Sequence, residues 1–116
     1  MEKTNPVLKE NIVKLEKAAR KNDADVYRRA AEELKKSAKN RTEVNLSKIQ
    51  RNASEGEIVL VPGKVLGSGR LDKEVEVAAF QFSQKAKKTI NSSGEFKYLE
   101  DLVEDNPEGK NIRIMK

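Results

Sequence analysis

Six basic side chains stand against one acidic one between Lys35 and Arg51. They are Lys35, Lys36, Lys39, Arg41, Lys48 and Arg51, with Glu43 as the acid. Cations at this density suit an anionic polymer, whose phosphates they neutralise with release of condensed counterions. The wider window from Arg20 to Arg51 holds ten Lys/Arg and five Asp/Glu, and the rest of the chain holds fourteen of each, so the whole net charge of +5 falls in one stretch. Clustered charge of one sign is an electrostatic footprint for such a partner. A solvated helix face with imperfect balance has the same composition. Charge does not distinguish RNA from DNA, although no recognition helix of a helix-turn-helix reader stands out.

Catalytic chemistry finds less support. The chain has no cysteine and no histidine, which removes thiol nucleophiles, Cys/His zinc sites, disulfides and the usual proton carrier near neutral pH. The pairs Glu32-Glu33, Glu100-Asp101 and Glu104-Asp105 are neighbours whose side chains diverge on a helix, so they read as surface charge. A carboxylate- and metal-dependent nuclease is the enzyme alternative, and no grouping of acids suits it. Gly63, Gly67 and Gly69 match neither GxxxxGK[ST] nor GxGxxG. They read as tight turns between short strands. A compatible second reading has Lys64 and Arg70 flanking backbone N–H groups that meet phosphates. Gly67→Val is expected to damage the fold, on the expectation that a turn glycine there takes a positive φ. Tyr27, Phe80, Phe82, Phe96 and Tyr98 are too few for a base-stacking platform, and most are expected in the core. No catalytic set, metal site, cofactor or small-molecule substrate is expected.

The elements that position these residues follow from periodicity. Asn5-Pro6 reads as a cap and first helical residue, and Leu8, Ile12, Leu15 and Ala19 form one apolar face until Asn22-Asp23. A second helix is expected from about Asp25 to Ala38, with Tyr27, Ala30, Ala31, Leu34 and Ala38 as its stripe. Lys39 to Val44 reads as a basic connector. Ser47 to Gln50 has capping-box spacing, so a short helix is expected to begin there. Glu57–Val61 reads as a strand, Pro62-Gly63 as a turn, Lys64–Leu66 as a second strand, and Gly67-Ser68-Gly69 as another turn. A strand over Glu74–Ala79, a helix after Ser83 stopping at Gly94, a short helix over Tyr98–Asp105 and a last strand over Asn111–Met115 complete the order.

At 116 residues the chain is expected to be one α/β domain, with a basic helical part over about 5–55 and a strand-rich core over about 56–116. Hydrophobic residues are 36%, charged 37% and aromatic 4%, so the core is modest and part of the stability is expected to come from a partner. No apolar run has the roughly 20 residues of a membrane span, and MEKTNPVLKEN carries no apolar signal core. A soluble cytoplasmic protein that does not meet membranes is the expectation.

The run Val61-Pro62-Gly63-Lys64-Val65-Leu66-Gly67-Ser68-Gly69, then Val75-Glu76-Val77-Ala78-Ala79, Phe82-Ser83, Ala86, Ile90 and Gly94, resembles the motif shared by the archaeal and eukaryotic L-eighteen-e ribosomal proteins and the related L-fifteen family. Asn5-Pro6, Val44-Asn45-Leu46, Lys48-Ile49, Arg51, Asn106-Pro107-Glu108-Gly109 and Ile112-Arg113-Ile114 resemble the former, over about residues 5 to 115. The compact length looks archaeal. The resemblance implies an irregular β-β-α superhelix preceded by helices. It also implies a non-catalytic, ribosome-associated role, binding large-subunit ribosomal RNA and neighbouring large-subunit ribosomal proteins. Arg41, Lys48, Arg51, Lys64 and Arg113 are its implied RNA contacts; Lys35, Lys36, Lys39 and Arg70 are added on charge. Tyr27 departs from the tryptophan often found there, and Ser37–Arg41 lacks the expected proline and adjacent arginines. The alternative role is a basic interaction module for acidic protein partners.

Overall fold

The computed structural model describes residues 6–116. Asn5, expected to cap the first helix, lies outside them. Helix α1 spans Pro6–Asn22 and buries Asn11, Leu15 and Ala18, with Leu8, Ile12 and Ala19 partly buried beside them. It ends where Asp23 takes φ 52. Helix α2 spans Asp25–Leu34 and buries Tyr27, Ala30, Ala31 and Leu34. It stops short of the expected end. Ala38, assigned to the apolar stripe, is exposed and begins a 3-10 turn over Ala38–Asn40. The residues read as a connector also supply strand β1, Thr42–Asn45, and helix α3 follows at Leu46–Asn52. The anticipated capping box does not form, because Asn45 is the N-cap and makes no side-chain cap bond. The Ser47 N–H instead donates to the Ser68 carbonyl at 3.1 Å.

Strand β2 runs without interruption over Ile58–Leu66, so Pro62-Gly63 is not the turn the sequence suggested. It is an irregularity inside one strand. Between the pairs Val61↔Ala79 and Lys64↔Gln81, β2 carries one more residue than its partner. Proline cannot donate to a ladder, and a bulge is where a sheet tolerates it. Gly63 lies opposite Thr42, and a Cβ there would overlap the Thr42 carbonyl oxygen. The glycine lets two backbones meet; it does not reverse the chain.

Strand β3 spans Glu76–Phe82. Helix α4 spans Gln84–Ser93, and the Ser83 side chain accepts from the Ala86 N–H at its start. Gly94 stops it as expected. Strand β4, Glu95–Tyr98, was not anticipated; α5 at Leu99–Asp105 and β5 at Ile112–Ile114 were. Every strand pair is parallel. The order is β1-β2-β3-β4, with β5 beside the first half of β2 where β1 takes the second half. This is the expected α/β class, with helices first and β2, β3 and α4 in β-β-α succession.

A parallel sheet needs both faces covered. Val59, Val61, Val65, Val77, Ala79 and Phe82 pack with Leu46 and Ile49 of α3 and Ala86 and Ile90 of α4. Leu60, Ala78 and Phe80 pack on the other side with Tyr27, Leu34, Leu15, Leu99 and Leu102. The β2–β3 crossover contains no helix, and Leu71 and Val75 bury it against the first of these clusters.

Candidate nucleic-acid interface

Burial of Leu46 and Ile49 fixes the rotation of α3 and leaves Lys48 half-exposed and Arg51 exposed. The Gly67-Ser68-Gly69 loop is wedged between the starts of α3 and α4. Gly69 has φ 96, and a Cβ on it would lie 2.6 Å from the Ser47 Cβ. Gly67 has no positive φ, which corrects the reason its size matters. A Cβ there would lie 2.7 Å from the Lys85 Cβ and 2.9 Å from the Ala86 nitrogen. The loop therefore brings Lys48 and Arg51 of α3, Arg70, and Lys85 of α4 to one rim, at the carboxyl ends of β1, β2 and β3. Lys88 is one turn further along α4. Such ends are where open α/β sheets present ligand-binding loops. Lys85 and Lys88 were seen as outward-facing in sequence but not as interface candidates. The signal that marks them is their spacing of three after the Ser83 cap.

The nine expected contacts do not form one patch. Lys48, Arg51, Arg70 and the half-buried Lys64 lie at or near the rim. Lys39 and Arg41 lie along the approach to β1, on the outer edge of the sheet. Lys35 and Lys36 follow α2, in the helical layer on the opposite face. Arg113 pairs in register with Val59, so it sits about 20 Å from the rim by strand rise.

Electrostatic partners divide the set again. Lys35 bonds Glu16 at 2.6 Å, Lys36 bonds Glu33 at 2.9 Å, and Arg70–Asp72 and Arg113–Glu57 are both 3.1 Å. Arg70–Asp72 is exposed on both sides and holds weakly, while the other three carboxylates, Glu33 most of all, are partly covered. Lys39, Arg41, Arg51 and Lys64 make no ion pair among the described residues. Arg41 donates to the Lys36 carbonyl at 3.3 Å, and Lys48 donates to the Lys116 carbonyl.

The acids are occupied in the same way. Glu32 holds Arg28, Glu33 holds Lys36 and Lys116, and Glu100 and Glu104 hold Lys14. Lys97, only 12% exposed, gathers Glu76, Glu95 and Asp105 and ties β4 to β3 and α5. Burial pulls its ammonium down, but the hydrogen bonds it donates to Asp105 and Glu76 outweigh this and raise it above the usual lysine range. No group of His, Cys, Asp and Glu among the described residues has the arrangement of a metal site. No helix among them is long and apolar enough to cross a membrane. Phe82, Phe96 and Tyr98 pack ring on ring at 5.1–6.1 Å. Tyr27, Phe80 and Phe82 are buried, as most of the aromatics were expected to be.

The family model described as ribosomal protein 60S L18 and 50S L18e matches residues 1–116. The chain is similar to the large ribosomal subunit protein eL18 of Methanoregula boonei, 45% identical over 117 residues, covering 100% of this chain and 97% of that one. It is 47% identical to the protein of that name from Haloarcula marismortui over 116 residues, and 48% identical to that of Halobacterium salinarum over 117, with 100% of each chain covered in both cases.

Proposed function

The chain belongs to the family of ribosomal protein 60S L18 and 50S L18e, and from that premise we propose that it is a structural constituent of the large ribosomal subunit that binds and stabilises folded large-subunit ribosomal RNA. The family's members are structural ribosomal proteins, and the chain is not an enzyme. Neighbouring large-subunit ribosomal proteins are its other partners, and its place is the ribosome in the cytoplasm.

The observation that carries the RNA reading is the set of cations without a carboxylate partner among the described residues, at the rim and the sheet edge: Lys39, Arg41, Arg51 and Lys64. They meet phosphate at no cost in broken ion pairs. Lys35, Lys36, Arg70 and Arg113 must exchange a protein carboxylate for a phosphate, so each contributes less. Lys85 and Lys88 extend the rim. With about four to six phosphate contacts, log affinity falls with log salt at roughly 0.7 to 0.9 per contact.

Sucrose-gradient fractionation of lysate at rising salt tests the assignment. The chain is expected to sediment with the large subunit and to resist moderate salt. If it stays at the top of the gradient at low salt, the reading fails and a module for acidic partners takes its place. Arg51→Glu is expected to weaken RNA binding and flatten the salt slope by about one to two contacts, with helix content retained. An unfolded variant would make Arg51 structural.

A further inference from the structure

A groove of about 750 Å³ lies between the second half of α1 and the end of α5, walled by Lys14, Lys17, Arg20, Lys21, Glu104 and Pro107. Burial of Asn11, Leu15 and Ala18 sets the rotation of α1. Lys14, Lys17 and Lys21 then fall at spacings of three and four on one flank, over about 10 Å of helix. The single acid in the wall among the described residues, Glu104, pairs with Lys14 at 3.6 Å. Lys17, Arg20 and Lys21 make no ion pair among the described residues, and Asp23 lies just beyond the helix end. The negative end of the α1 dipole accounts for cations in its last turn, Arg20 and Lys21. It does not account for Lys17, or for the concave shape with Val103 and Pro107 opposite.

Helix α1 packs with α2 and α5, in the layer on the face of the sheet opposite α3 and α4. The groove and the rim thus belong to opposite layers of a molecule measuring 34 × 34 × 18 Å. We propose that the groove binds the phosphate backbone of a second RNA segment, so that the protein bridges two segments instead of coating one. This rests on the RNA reading above and adds a second site to it. A continuous basic row in a concave wall suits a polymer of evenly spaced phosphates, which positions without reading sequence.

A capture assay tests it. The full chain is added to a short biotinylated RNA duplex on beads, followed by a dye-labelled duplex of unrelated sequence, and single-duplex binding is followed by gel shift. The native chain is expected to retain the dye. Lys17→Glu/Lys21→Glu should still shift one duplex but lose about tenfold of the captured dye, whereas Arg51→Glu/Lys85→Glu should lose the dye and also weaken the single-duplex shift. Lys17→Gln/Lys21→Gln, which spares the helix end a reversed charge, should show a smaller loss in the same direction. Unchanged capture in both groove variants overturns the proposal. Unchanged capture with lost binding of a poly-glutamate peptide assigns the groove to acidic protein instead. If the native chain shifts one duplex and captures no second, bridging fails while RNA binding stands. If it shifts none, both readings fall together.

Discussion

Tyr27 is fully buried, and its hydroxyl donates to the carbonyl of Asn106 and, at 3.5 Å, to that of Leu102. Those carbonyls belong to the end of α5, where each also accepts a backbone N–H, Leu102's from Asn106 at 2.8 Å and Asn106's from Gly109 at 3.0 Å. The ring fills the cluster between α2 and the sheet while the hydroxyl closes a helix from elsewhere in the chain. Burial, and then the Glu76 charge, raise its pKa from 10.0 to about 12. A group raised in this way stabilises the fold below its unfolded value, and that contribution is lost as pH rises towards about 12. Tyr27→Phe is expected to lower the urea midpoint at neutral pH by the equivalent of about 1–2 kcal/mol. It should also lessen the loss of stability above pH 10. An unchanged midpoint would mean that the hydroxyl adds nothing to the backbone bonds these carbonyls already accept. Asn11 acts similarly in α1, donating to the Val7 carbonyl at 2.8 Å and to Glu100 Oε1 at 3.1 Å, which joins α1 to α5. A buried asparagine in a helical apolar face carries no sign of this in the sequence, because its acceptor lies 89 residues away.

Strand β2 carries neighbours on both edges along most of its length, and its Pro62-Gly63 step decides how β1 approaches. The proline leaves no N–H to satisfy at the irregularity, and the glycine gives the Thr42 carbonyl room. Gly63→Ala is expected to destabilise the fold by about 1–3 kcal/mol, as overpacking does. The damage should be local, with hydrogen exchange accelerated first at Thr42–Asn45 and later at β3. Uniform acceleration over the sheet would show that β1 is not a separable edge. Because β1 leads into α3, loosening it should also weaken the RNA binding proposed for Lys48 and Arg51.

At the scale of the whole molecule, two clusters on opposite faces of one sheet share β2 and β3. Leu60 belongs to one cluster, and Val59 and Val61 to the other. Neither face can be exposed without uncovering the same strands. We therefore propose one cooperative domain over residues 1–116, with far-UV circular dichroism and tyrosine fluorescence reporting coincident unfolding. Two separated transitions would divide the basic helical part from the strand-rich core. The acid side of this stability rests on Glu33 and Glu57. Hydrogen bonds from Lys36 and Lys116 lower Glu33, and the Ser54 N–H followed by Arg113 lowers Glu57. Their contribution is present above the usual value of 4.5 and is lost as pH falls through their lowered values. The midpoint should accordingly drop between pH 5 and pH 3 with the transition still single.

The sequence by itself determined the class, most of the element order and the excess of positive charge. Each depends on short-range information. The stripe of Tyr27, Ala30, Ala31 and Leu34 needs only helical periodicity, the cap at Ser83 needs only its next three residues, and the excess of cations is a count. Tertiary structure decided what depends on distant pairs. The uninterrupted course of β2 through the irregularity at Pro62-Gly63 and the existence of β4 follow from neighbours supplied by other strands, which override local turn signals, and α2 ends before Ala38. The site divided along the same line. Chemical type named the nine cations, but ladder register and helix rotation sent Arg113, Lys35 and Lys36 away from the rim and brought Lys85 to it. Pairing with Glu16, Glu33, Asp72 and Glu57 then set which charges are left without a carboxylate, and pairs such as Lys35–Glu16 and Arg113–Glu57 are decided only when the fold brings distant residues together.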